Sequence, residues 1–362
     1  MRAFYDRPID DLSKLYGACH RDAVEKLKKV ADRGMFAAVL GARRVGKTSV
    51  VKTFLKHYNY KYLYFDLSPY IGQSAVSLQA LVPTEIGFNE KELKKEAQIN
   101  ISVISLRIRD VKVTSSAFQS NLISLLRELN KKYDKFIIVF DEAQVLAFLK
   151  GINIRGLIQL IHNNYSRISV VLTGSMPGLL EKVISPARAA EPSFARYFER
   201  IYIPRWRKEE TIDFLKKGLL ESGISFNEME LEEAYEELSG IPGFVSHYGL
   251  LRTEGSSHER ALNSTIGYAI SLWKRDVSSF IRIYNSPLYV EVLKILAKTT
   301  TGASWMEIRG ELEARRGTTL SKSLVSRILK NLLGAGMIER SNNKYLVADR
   351  ALKRAVLKLR VR

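Results

Sequence analysis

The chain has 362 residues, a 46% hydrophobic fraction, a single cysteine and a net charge of +19 with a pI near 9.8. That composition fits two or three packed domains rather than disorder; a lone Cys19 excludes an internal disulfide and fits a reducing cytoplasm, with the thiol as a small buried apolar group. The apolar runs fall short of the roughly 18 residues of a membrane helix, and the acidic Asp6, Asp10 and Asp11 exclude a signal peptide, so no membrane partner is expected.

Residues 1–33 form a lead-in segment. Phe4 to Tyr16 reads as a short strand or loop entering a helix, and Arg21 to Ala31 is helical, with Ala23, Val24, Leu27 and Val30 on one face. Met35 to Leu40 then has strand character, and it runs into Gly41, Ala42, Arg43, Arg44, Val45, Gly46, Lys47, Thr48 and Ser49. The spacing is GxxxxGK[ST] between a strand and a helix, the signature of a phosphate-cradling P-loop. Gly41 and Gly46 let the backbone curl so that N–H groups point inward at phosphate oxygens. Lys47 reaches the β- and γ-phosphates, the Thr48 hydroxyl ligates Mg²⁺, and the helix to about His57 turns the positive end of its dipole to the same charge.

Lys61 to Leu67 is a second strand, and residues 68–88 read as loop. A charged helix is expected over 89–97, an inserted β-hairpin over 99–113 and a helix over 116–132. Phe136 to Phe140 is a run of five apolar residues, as in a parallel strand buried on both faces. It delivers Asp141 and Glu142 at its carboxyl end, where open α/β sheets bind ligands. This is the Walker B pattern: Asp141 holds Mg²⁺ and Glu142 polarises the attacking water. A further helix, 154–164, precedes a strand ending Thr173-Gly174-Ser175. Thr173 and Ser175 are candidates for the γ-phosphate, with plain turn chemistry as the alternative. A short helix, 179–184, a loop and a last core strand, 199–203, follow.

Residues 205–283 are helical, interrupted at Ser239-Gly-Ile-Pro-Gly243. Ser286-Pro287 marks a boundary. Beyond it, helices over 288–298, 305–315 and 321–333 and two short strands around a Ser-Asn-Asn turn give the winged-helix order. The third helix buries Leu324, Val325, Ile328, Leu329 and Leu332, and turns Lys322, Ser326, Arg327 and Lys330 outward. From Ser286 to Arg362 there are 16 Lys and Arg against 6 Asp and Glu, a net of +10. Such a face suits DNA; a solvated helix in a structural winged helix is the alternative.

The P-loop, the Walker B stretch Phe140-Asp-Glu-Ala-Gln144, the strand end Leu172-Thr-Gly-Ser175 and the break Gly240-Ile-Pro-Gly243, in this order, resemble the archaeal ATPase family of the AAA+/STAND group of P-loop NTPases. The resemblance covers nearly the whole chain. It implies a parallel α/β core over 34–204, a helical lid over 205–285 and a winged helix over 286–362. It also implies ATP and ADP as ligands with Mg²⁺. Phe4-Tyr-Asp-Arg7 is similar to the family's N-terminal acidic-arginine box, which makes Arg7 a nucleotide contact. Thr173 keeps the hydroxyl of the family's strand-end serine. Arg196 is the candidate arginine for sensing the γ-phosphate, with Arg188 and Arg200 competing. Ile241 and Pro242 resemble the lid turn that packs near adenine, with simple helix termination as the alternative for Pro242. About seventeen residues near Ala18 to Gly34 look inserted relative to the family.

Three functions follow: a slow ATPase acting as a nucleotide-controlled switch on DNA or a protein partner; a DNA-binding regulator with a structural ATP site; and a ring-forming motor, which needs homo-oligomers. Glu142, idle without hydrolysis, favours the first over the second.

Overall fold

The computed structural model describes residues 4–88, 115–184 and 197–359. The helix expected over 89–97, the hairpin over 99–113, and Arg188 and Arg196 lie outside them. Helix α1 (Ala18–Asp32) precedes strand β1 (Phe36–Leu40), and α2 (Lys47–His57) follows the P-loop. Strands β2 (Lys61–Asp66) and β3 (Glu85–Ile86), helix α3 (Ser115–Lys132), β4 (Phe136–Asp141), α4 (Ile154–Asn164), β5 (Ile168–Gly174), α5 (Pro177–Ile184) and β6 (Phe198–Tyr202) complete the core.

These strands form one sheet in the order β3-β2-β4-β5-β1-β6. All neighbours are parallel except the β2–β3 pair. Strands β1, β4 and β5 are buried along their whole length, as apolar runs covered by helices on both faces must be. Register puts Leu40 opposite Gly174 and Asp66 opposite Asp141. The P-loop, the Asp141-Glu142 pair and the Thr173–Ser175 turn therefore leave the sheet at one edge, side by side.

Three expectations are corrected. Residues 68–88 are not wholly loop: Glu85–Ile86 adds a two-residue antiparallel strand, too short to show any alternation. No helix begins between Phe4 and Tyr16, which cross the molecule as a strap with one turn near Leu12. Cys19 is also half-exposed rather than buried, since Ala18 and Cys19 open α1 beside the cleft.

Helices α6 (Lys208–Glu221), α7 (Glu228–Leu238), α8 (Pro242–Thr253) and α9 (His258–Tyr284) follow the sheet. Next come α10 (Leu288–Lys298), β7 (Ala303–Ser304), α11 (Trp305–Arg316), α12 (Lys322–Gly334), β8 (Ile338–Ser341), β9 (Lys344–Val347) and α13 (Arg350–Leu357). The last three strands pair antiparallel in the order β7-β9-β8. One apolar cluster runs unbroken from Leu215 and Val245 through Trp273, Val277 and Phe280 to Leu293, Leu352 and Val356. The α6–α9 helices and the C-terminal unit thus share a core, and α13 packs along α9. Helix α13 escaped the sequence reading, although its Asp349 side chain accepts from the Leu352 N–H as an N-cap.

Candidate active site

The P-loop takes the strained backbone its glycines permit. Gly46 has φ +96° and caps α2, and Arg44 has φ +64°. A Cβ on Gly41 would stand 2.5 Å from the Ile203 carbonyl oxygen, so only glycine fits there. His20 of α1 braces the loop: its Nε2–H donates to the Val45 carbonyl at 2.6 Å. Because a carbonyl can only accept, this contact sets the tautomer. Burial holds the His20 imidazole below its ordinary pKa, so it stays neutral.

Lys47 is buried, its ammonium folded back onto the Gly41 and Ala42 carbonyls at 3.1 and 2.8 Å. Burial pushes its pKa down against the pull of Glu142 and Asp141. Asp141 accepts from the hydroxyls of Thr48 at 2.8 Å and Tyr64 at 2.6 Å, and from Thr173. Burial, then the neighbouring Glu142 charge, raises its carboxyl, while those three hydroxyls oppose the rise. Thr173 is therefore spent on Asp141 and on the Glu142 N–H, which donates to it at 3.0 Å. Neither it nor Ser175 lines the cleft. Ser175 donates to Glu142 Oε2 at 2.6 Å, and Gln144 donates to the same oxygen. Burial raises the Glu142 carboxyl, but the Lys47 and Arg43 charges outweigh it and keep the group below the usual carboxylate range.

These groups open into a cleft of about 800 Å³ between the sheet edge and the α6–α9 helices. Arg43, Arg44, Gly46, Lys47, Thr48, Ser49 and Glu142 form its floor. Arg7 and its neighbours form one wall, held because Tyr5 and Ser246 exchange hydrogen bonds at 3.1 and 2.8 Å and Ile9 N–H donates to Ser49 at 3.1 Å. Pro242 also lines the cleft, while Ile241 is buried in the core. Gly41, Ala42 and Val45 are not among the residues that line the cleft. Arg200 lies exposed on β6 and is not among the cleft residues. Lys322, Ser326, Arg327 and Lys330 are exposed on α12.

The Gly240-Ile-Pro-Gly243 break does more than end a helix. Gly240 has φ +61°, and its carbonyl accepts from the Trp206 N–H at 2.8 Å. A Cβ there would meet the Trp206 carbonyl oxygen at 2.1 Å. Gly243 N–H donates to the Arg44 carbonyl at 2.9 Å, docking α8 on the P-loop. Gly240→Ala is expected to cost at least about 2 kcal/mol through left-handed strain and overpacking. A drop in the thermal unfolding midpoint measures it; an unchanged midpoint refutes the account of this turn.

Several cleft residues carried no sequence motif: His20, Trp206, Tyr268, Arg275, Asp276 and Arg282. Tyr268 lies between the His247 ring, 4.7 Å away and nearly parallel, and the Arg44 guanidinium, 4.8 Å from its centroid.

The described residues contain no group of three His, Cys, Asp or Glu that could hold a metal. Thr48 and Asp141 are, however, in direct contact and offer hard oxygens. That set suits an ion which keeps several waters and takes further ligands from a substrate phosphate, as Mg²⁺ does. No helix among the described residues is long and apolar enough to cross a membrane.

A family described as an ATPase domain predominantly from Archaea matches residues 21–247. The Walker-type ATPase of Pyrococcus abyssi is similar to this chain throughout, at 25% identity over 97% of this chain and 98% of its own, with a TM-score of 0.78. The ORC2 protein of Aeropyrum pernix, in complexes with ADPNP and ADP, shares the fold at 14% identity, over 98% and 97% of the two chains, with a TM-score of 0.56. No curated protein matches the sequence.

Proposed function

The chain belongs to the family of ATPase domains found predominantly in Archaea, and we propose that it uses ATP binding and hydrolysis to switch a DNA-binding C-terminal unit. Its reaction is hydrolysis of ATP to ADP and phosphate. In our reading, the P-loop N–H groups and Lys47 hold the triphosphate. Thr48 and Asp141 hold a Mg²⁺ ion, which neutralises phosphate charge when bound. Glu142 takes the proton of the attacking water through Oε1, since Ser175 and Gln144 already occupy Oε2. Hydrolysis is slow, as befits a switch. The strap around Arg7 and the Pro242 turn enclose the base.

One observation supports the coupling most strongly. Helix α9 lines the cleft with Arg275, Asp276, Ser279 and Arg282, and also packs against α13 in the core shared with the C-terminal unit. A shift of α9 toward bound phosphates must carry that unit with it. Lys322, Arg327 and Lys330 are exposed on α12, a basic face suited to DNA phosphates.

The test is DNA affinity by fluorescence anisotropy with ATP, with ADP and without nucleotide. We expect at least a fivefold spread, and a log–log salt slope near −0.9 per phosphate contact. Equal affinities in all three states would reject the coupling, and a flat salt response would reject DNA as the partner.

A further inference from the structure

Arg43 is the P-loop residue whose bonding is least complete. Its Nη1 makes an ion pair with Asp276, a residue 233 positions away on α9. Its Nε and Nη2 are buried and have no hydrogen-bond partner among the described residues. Leaving guanidinium N–H groups dry and unpaired is costly, and such groups in a cleft wall call for an acceptor that arrives later. Arg43, Lys47 and Glu142 all line the same cleft.

Asp276 is equally out of place. It is 5% exposed and lines a cleft built for polyanions. Burial pushes its carboxyl up, and the Arg43 and Arg275 charges oppose this. A carboxylate there occupies the cation that a phosphate would use.

Resting on the ATPase reading of this site, we propose that Arg43 is the catalytic arginine acting in cis on the γ-phosphate of ATP, and that Asp276 is its internal competitor until the nucleotide displaces it. The guanidinium binds phosphate oxygens through a planar fork, and its charge stabilises the metaphosphate-like transition state as water adds to phosphorus and ADP leaves. The proton of the water passes to Glu142. Asp276 lowers apparent ATP affinity by the fraction of molecules in which it holds Arg43: if only one in ten is free, binding weakens about tenfold.

Two variants test this, with the wild-type protein run alongside. Arg43→Lys keeps a positive charge but loses the fork. We expect its kcat to fall about 100-fold while ADP affinity stays within about threefold. Asp276→Asn keeps the side-chain volume. We expect it to bind ATP about tenfold more tightly and to improve ADP binding much less, because ADP lacks the γ-phosphate. Thermal unfolding of each variant confirms a native fold. Wild-type kcat in Arg43→Lys, or equal changes in ATP and ADP affinity in Asp276→Asn, would overturn the proposal. Absence of turnover in the wild-type protein would instead overturn the hydrolytic reading beneath it.

Discussion

Lys47→Ala is expected to abolish ATP turnover, by at least about 10³-fold, and with it the stabilisation that nucleotide confers. At ATP one hundred times its dissociation constant, the wild-type protein gains about 2.7 kcal/mol of stability by mass action. The alanine variant should show no ATP-dependent rise in unfolding midpoint. The reason lies in the burial of Lys47 behind the P-loop carbonyls, where no other ammonium can replace it. The fold itself should survive, because the strands on either side of β1 are held by backbone pairing and apolar burial. Retained turnover, or an ATP-induced midpoint shift equal to that of the wild type, would remove the phosphate cradle from the account.

Glu142→Gln should separate binding from chemistry. Glutamine keeps the size of the side chain and still offers one oxygen to Ser175 and Gln144. It cannot accept a proton from water. Turnover is expected to fall about 10²–10⁴-fold, while ATP binds at least as tightly, since a negative charge facing the γ-phosphate has gone. Phosphate release and the nucleotide retained after incubation provide the two readouts. Undiminished release would take Glu142 out of the mechanism. The wild-type carboxylate stays ionised well into acid because Lys47 and Arg43 outweigh the effect of its burial. Loss of activity on moderate acidification should therefore come from another group.

The two strongest motifs could be read from sequence because each is local. A phosphate cradle needs eight consecutive residues, Gly41 to Thr48, with glycine where the backbone turns back on itself. An apolar run followed by Asp141-Glu142 needs only six or seven. Helical periodicity likewise located α10, α11 and α12 to within a residue or two. Short elements were harder: the two residues of β3 have no period to detect. Thr173 shows a different limit. Its position at a strand end pointed to the γ-phosphate, but its hydroxyl is taken by Asp141 and by the Glu142 N–H. Which neighbour a hydroxyl binds depends on strand register between β4 and β5, which no local pattern records.

By itself, the sequence determined that this protein carries a P-loop of an ATPase family, that Asp141 and Glu142 stand at the end of an apolar strand, and that residues 286–362 are basic and largely helical. Each of these is written in neighbouring residues, through backbone geometry or a helical or strand period. Only the tertiary structure decided what faces the phosphate cradle: His20 beneath Val45, Gly243 docked on Arg44, and Asp276 paired with Arg43. It also decided that the α6–α9 helices and the C-terminal unit share one apolar core. Those contacts join residues up to 233 positions apart, and they depend on how helices pack over a sheet. Such packing is a property of the whole fold, absent from any single stretch of chain.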